Sequence, residues 1–246
     1  MTMRTNPRLV KNRAITRFEV LVVAGVIALL AAVVLPGVAN TATRYNRLLC
    51  LNNLRQIGVA FRAWGNDHGD FVPLRTPMKY GGLGRNPGGA VAYARAGEAW
   101  YDLAHLSNQL GSPMILTCPG DTLKVPNQVS TWADLFQSKN SSISYAVSPE
   151  VHPSQPQSVV SMDRNIQASG LGNCSIGITG IGAGYLNVAT AELDPHVGWT
   201  NALHYPMGNL LLNDGRVVEA AQDRLAWFLG RVNAIDGNGS FHFVMP

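Results

Sequence analysis

The chain has 246 residues, enough for one large domain or two small ones with a substantial core. Only 14% of residues are charged, while 25 Gly and 14 Pro make turns abundant, the composition of an exported, loop-rich fold. The formal net charge of +4 resides in Arg4, Arg8, Lys11 and Arg13: without these four, Lys+Arg falls from 19 to 15 and equals the 15 Asp+Glu. That balance argues against a nucleic-acid partner, which requires clustered cations to replace phosphate counterions.

The first fourteen residues form a basic leader without Asp or Glu. From Val20 to Ala39 twenty residues follow without a charge. As a helix they extend about 30 Å, the thickness of the bilayer hydrocarbon. The cations on the N-terminal side predict a cytoplasmic N-terminus and an extracytoplasmic C-terminal part. A cleaved secretory signal shares the basic and apolar regions. It does not account for the length of the run, nor for the helical pattern that continues beyond Ala39.

In that continuation Cys50, Leu54, Ile57, Phe61 and Trp64 recur at spacings of 4, 3, 4 and 3, one apolar stripe. Arg44, Arg47, Arg55 and Arg62 fall on other faces. Pro36 is expected to bend the helix, and the Gly65–Asp70 segment to stop it. The reading is one helix of about fifty residues, apolar on every face at first and amphipathic from about 44 to 64. Glu19 at the edge of the span would cost up to about 2.5–3.5 kcal/mol at mid-bilayer. It either stays at headgroup level or is kept for a partner charge.

The run Arg13-Ala14-Ile15-Thr16-Arg17-Phe18-Glu19, followed by the apolar helix, resembles the processing signal of type IV pilins and type II secretion pseudopilins. The resemblance implies cleavage between Ala14 and Ile15 by a prepilin peptidase, N-methylation of Ile15, and neutralisation of a neighbouring subunit's terminal amine by Glu19. Ile15 and Glu19 are four apart and share a helix face. The chain departs from the family at Ala14, where Gly is commoner, at Ile15 for Phe, and at Arg17 and Phe18 for Leu and Ile. Arg17 either snorkels to the headgroups or pairs with Glu19. The segment Cys50-Leu51-Asn52-Asn53-Leu54-Arg55-Gln56-Ile57-Gly58 is similar to a helix found in proteins related to the major pseudopilin G of planctomycete- and verrucomicrobia-type bacteria. Cys118-Pro119-Gly120-Asp121 and His204–Val217 fit the same group.

For the remainder, 71–97 reads as loop, with no phosphate-cradle motif. Trp100–Leu110 and Trp132–Ser138 read as helices, and Met114–Cys118 and Ser141–Val147 as strands. Leu210–Leu212 and Val217–Val218 around Asp214-Gly215 read as a hairpin, followed by a helix over Gln222–Asn233. Gly180–Gly184 reads as a loop. Asp236–Ser240 imitates the start of a calcium loop but lacks its sixth-position Gly and twelfth-position Glu. The six histidines form no metal-binding spacing, and His204 with Asp214 reads as a structural His beside a turn.

The three cysteines form no C-x-x-C pair. Cys50 lies on the apolar stripe and Cys118 at the end of a strand-like run, so the two are expected to meet where helix packs on sheet. Cys174 is the rival partner, and three reduced, buried cysteines are the other alternative.

The whole is read as an α+β chain: leader 1–14, N-terminal helix 15–66 with its membrane span at about 20–39, and an exported head 67–246 in which the helix packs on an antiparallel sheet. No enzyme activity, cofactor or metal is expected. The resemblance implies a filament subunit whose partners are prepilin peptidase, neighbouring subunits and membrane lipid. A membrane-anchored binding module that does not assemble is the alternative.

Overall fold

The computed structural model describes residues 16–82, 98–148, 151–167, 170–171, 185–189, 197–230 and 240–246. Side chains are described within these except at 36–43 and a few further positions. The leader, Cys174, Gly180–Gly184 and residues 236–239 of the calcium-like segment lie outside the described residues. The chain divides after Arg44 into two compact units.

The helices are α1 (Arg17–Asp67), α2 (Ala99–Ala104), α3 (Ser107–Leu110), α4 (Trp132–Ser138) and α5 (Gln222–Gly230). The strands are β1 (Tyr145–Val147), β2 (Val159–Asp163), β3 (Ile166–Gln167), β4 (Gly170–Leu171), β5 (Tyr185–Ala189), β6 (Gly198–Trp199), β7 (Met207–Leu212), β8 (Val217–Ala221) and β9 (Ser240–Val244).

In the first unit, the stretch Arg17–Leu35 of α1 is long and apolar enough to cross a membrane, and none of its 19 residues is buried. Helical backbone continues through Pro36. The predicted stop is present: α1 ends at Asp67, the amides of His68 and Asp70 both bond the Gly65 carbonyl, and Gly69 and Asp70 take positive φ.

The second unit is α+β, built on a seven-stranded sheet of order β4-β5-β9-β1-β2-β7-β8 with every pairing antiparallel. Strand alternation sends side chains to two separate cores. Tyr145, Val147, Val160 and Leu211 join Leu54, Ile57, Phe61 and Trp64 of α1 with Trp100 and Leu103 of α2. Ala146, Met162, Leu210 and Leu212 turn the other way, toward Leu225 and Leu229 of α5 and Trp199 of β6. All five stripe residues of α1 are buried, three of them completely. Gly58 allows the close approach of α1, because a Cβ there would lie 2.6 Å from Leu211 Cδ1.

The β7–β8 hairpin pairs Leu211 with Val217, with Gly215 at φ +86 in the turn. The helix α4 coincides with Trp132–Ser138, capped by the Thr131 hydroxyl on the Asp134 amide. The helix α5 covers 222–230 of the expected Gln222–Asn233; the last three residues lie outside the described set.

Three expectations need correction. Met114–Cys118 is not a strand: Pro113–Leu116 form a 3-10 turn, started by Pro113 and capped by Ser112 Oγ accepting from the Met114 amide. Ser141–Val147 is extended only near its end, because Lys139–Ser142 form another 3-10 turn in which the Ser142 hydroxyl donates to the Lys139 carbonyl. Trp100–Leu110 is two helices rather than one. The Tyr101 carbonyl, which an α-helix would give to the His105 amide, is met by the His105 ring nitrogen at 2.8 Å, and Leu106 leaves helical geometry.

Candidate functional site

Of the residues expected to govern processing, Ala14 and Ile15 lie outside the described set. Glu19 is described, and it closes a capping box at the start of α1. The Thr16 amide and hydroxyl donate to Glu19 Oε2 at 2.7 and 2.9 Å, and the Glu19 amide donates to the Thr16 hydroxyl at 3.3 Å. Thr-x-x-Glu before an apolar run is the sequence form of this motif, in which two orphan donors of the first turn are satisfied reciprocally. The carboxylate is thus held by its own helix, and the ion pair with Arg17 left open by the sequence does not form.

The structure joins Cys50 and Cys118, 68 positions apart in sequence, in a disulfide with Cα atoms 4.9 Å apart. Cys50 comes from α1 and Cys118 from two residues beyond the 3-10 turn Pro113–Leu116, and both are fully buried. The backbone is tied on both sides of the bond. Asn53 Nδ2 donates to the Thr117 carbonyl at 3.2 Å, and the Tyr145 hydroxyl to the Cys50 carbonyl at 3.3 Å.

His204, from the turn before β7, brings Nε2 to 3.3 Å from Cys118 Sγ. Gly120 makes room for it: a Cβ there would come within 2.7 Å of His204 Cε1. Burial lowers the His204 pKa to about 4, aided by the Arg47 cation and opposed by Asp121, so the ring is neutral at pH 7. Among the described residues, Cys50, Cys118 and His204 alone form a set of three metal-ligating side chains, their donor atoms all within 4.8 Å of one another.

Asp121 fixes the loop that carries Cys118. It is fully buried and accepts from Arg164 Nε and Nη2 at 2.6 and 2.7 Å, a bidentate pair, and from the Ser144 hydroxyl at 2.9 Å. A second carboxylate, Asp163 at the end of β2, faces Asn209 of β7 and accepts its amide and Nδ2 at 2.8 and 3.0 Å. Among the described residues its other oxygen has no hydrogen-bond partner, nor has Oδ1 of Asn165 or Asn209. Burial raises Asp163 to about 7, outweighing the two Asn209 bonds. On the same part of the sheet Arg47 pairs with Glu219 at 2.8 Å.

His204 and Asp214 do not act together: Asp214 pairs with Arg216 in the hairpin turn. His68 stacks on Trp64, and His152 bonds Ser154. The side chains of His196 and His242 lie outside the described set. Comparison with protein-family models, with curated proteins and with solved structures gives no match.

Proposed function

We propose that this chain is a membrane-anchored subunit of a type IV pilus-like or type II secretion pseudopilus-like filament. The observation that carries the reading is that one helix, α1, holds both the apolar stretch Arg17–Leu35 and the stripe Cys50–Trp64 packed on an antiparallel sheet. The basic leader and the Ala14-Ile15-Thr16-Arg17-Phe18-Glu19 sequence before it support processing by a prepilin peptidase, with Ile15 methylated. The disulfide fits a head on the extracytoplasmic side, where such bonds persist.

Two measurements test this reading. N-terminal sequencing and intact mass of membrane-extracted protein are expected to give a terminus at Ile15; a terminus near Ala39–Thr43 would instead mean ordinary signal cleavage. The second concerns Glu19. Glu19→Ala removes the charge and the reciprocal arm of the capping box together, leaving the Thr16 hydroxyl to cap the helix. Glu19→Gln removes only the charge, because Gln also completes a capping box. Both variants are expected to insert and be cleaved but to drop out of cross-linked filaments.

The capping box also favours a second reading, an anchored binding module that does not assemble, in which Glu19 serves only its own helix. Normal polymers from the Gln variant would select that reading.

A further inference from the structure

We propose that Cys50, Cys118 and His204 form a redox-gated metal site: with the disulfide reduced, the two sulfurs and the imidazole Nε2 bind a thiophilic cation of the zinc class. This goes beyond the filament reading and does not depend on it.

Two thiolates and one imidazole suit zinc, and a three-residue set leaves a fourth position for water. The three donor atoms already lie within 4.8 Å of one another. With zinc–sulfur near 2.3 Å and zinc–nitrogen near 2.0–2.1 Å, a tetrahedral set needs donors about 3.5–3.8 Å apart. His204 Nε2 is 3.3 Å from Cys118 Sγ, so the required rearrangement is chiefly a parting of the two sulfurs, within reach of side-chain rotation.

The backbone does not depend on the S–S bond to keep the sulfurs facing each other. Asn53 ties α1 to Thr117, beside Cys118, and Tyr145 holds the Cys50 carbonyl. Asp121 fixes the other side of Cys118 through its bidentate bond to Arg164. His204 faces the sulfur with a ring nitrogen, over a position where only glycine leaves room. Both sulfurs are fully buried whereas His204 is half-buried, so a cation and its water would enter on the His204 side.

A dithiol reductant gives two electrons and two protons and becomes a disulfide, while the Cys50–Cys118 bond breaks to two thiols. Zinc then displaces the two thiol protons and takes both thiolates and the neutral imidazole. Disulfide and metal exclude each other, because both use the same sulfurs.

The test uses the full chain in detergent, reduced with a phosphine, freed of excess reductant without air, and titrated with cobalt(II). Expected are one equivalent bound, a thiolate-to-cobalt charge-transfer band, and its loss on adding zinc. Oxidised protein should show no band. His204→Ala should weaken cobalt binding by more than the roughly 10–100-fold typical of losing an outer-shell partner. Circular dichroism of the reduced protein is followed in parallel. Absence of the band in a folded reduced protein would overturn the proposal, as would unchanged affinity in His204→Ala. If reduction unfolds the chain, recovery of the native spectrum on adding zinc supports the site, and failure to recover rejects it.

Discussion

Replacing Cys50 and Cys118 together by alanine is expected to destabilise the protein by about 4 kcal/mol, the chain-entropy value for closing a loop of this length. The bond spans 68 positions and connects α1 to the turn before Asp121, so without it the unfolded chain regains the freedom of that whole loop. Both cysteines are fully buried, and the lost sulfurs leave a small void that adds to the cost. For a unit of this size the loss corresponds to a fall in melting temperature on the order of 10 °C. Denaturant unfolding followed by tryptophan fluorescence, without reductant, measures it, and metal-free reduced wild type should show a similar shift. An unchanged midpoint in the double variant would show that the bond does not constrain the unfolded chain.

The parts of the fold readable in the sequence are those set by local chemistry repeated over several residues. The Cys50–Trp64 stripe has a helical period and is buried residue for residue, and Asp214-Gly215 between apolar runs makes the hairpin. Met114–Cys118 misleads because a short apolar run does not by itself specify a strand: Leu116, Thr117 and Cys118 are buried from a 3-10 turn and the residues after it. Ser141 and Ser142 look strand-like in an apolar context, but serine hydroxyls can bond nearby carbonyls and turn the chain. The Thr16/Glu19 capping box lies in plain view as Thr-x-x-Glu, and a reading centred on intersubunit charge passes over it. The meeting of His204 with Cys118 across 86 positions is different in kind, as is that of Arg164 with Asp121 across 43. Each depends on how sheet and helix bring remote segments together, and neither has a local pattern. Gly120 gives only an indirect signal, since a glycine after Cys-Pro fits a turn as well as it fits an approaching ring.

The second large effect is expected from Asp163→Asn, and it depends on pH. Burial raises the Asp163 carboxyl from its ordinary 3.8 to about 7 in the folded protein. As pH rises through this interval, the unfolded chain releases a proton that the folded protein still holds. Stability therefore falls between about pH 4 and 7 and levels off above, a loss on the order of 4 kcal/mol for a shift of about three units. Asparagine has the same shape, and its carbonyl oxygen can accept both Asn209 bonds now received by Asp163 Oδ2. The variant is expected to match the wild type near pH 4 and to exceed it at pH 8. His204 contributes the opposite slope. Its folded pKa is lowered from 6.5 to about 4, so the stability it contributes is present above pH 6.5 and is lost as pH falls toward 4. These two contributions oppose each other in the wild type across the same interval, whereas in Asp163→Asn that of His204 remains without Asp163's opposing term. Urea midpoints at pH 4.5, 6 and 8 should therefore rise with pH in the variant more steeply than in the wild type. A variant less stable than the wild type by the same margin at all three values would mean that Asp163 folds as a carboxylate held by Asn209, and that burial does not decide its charge.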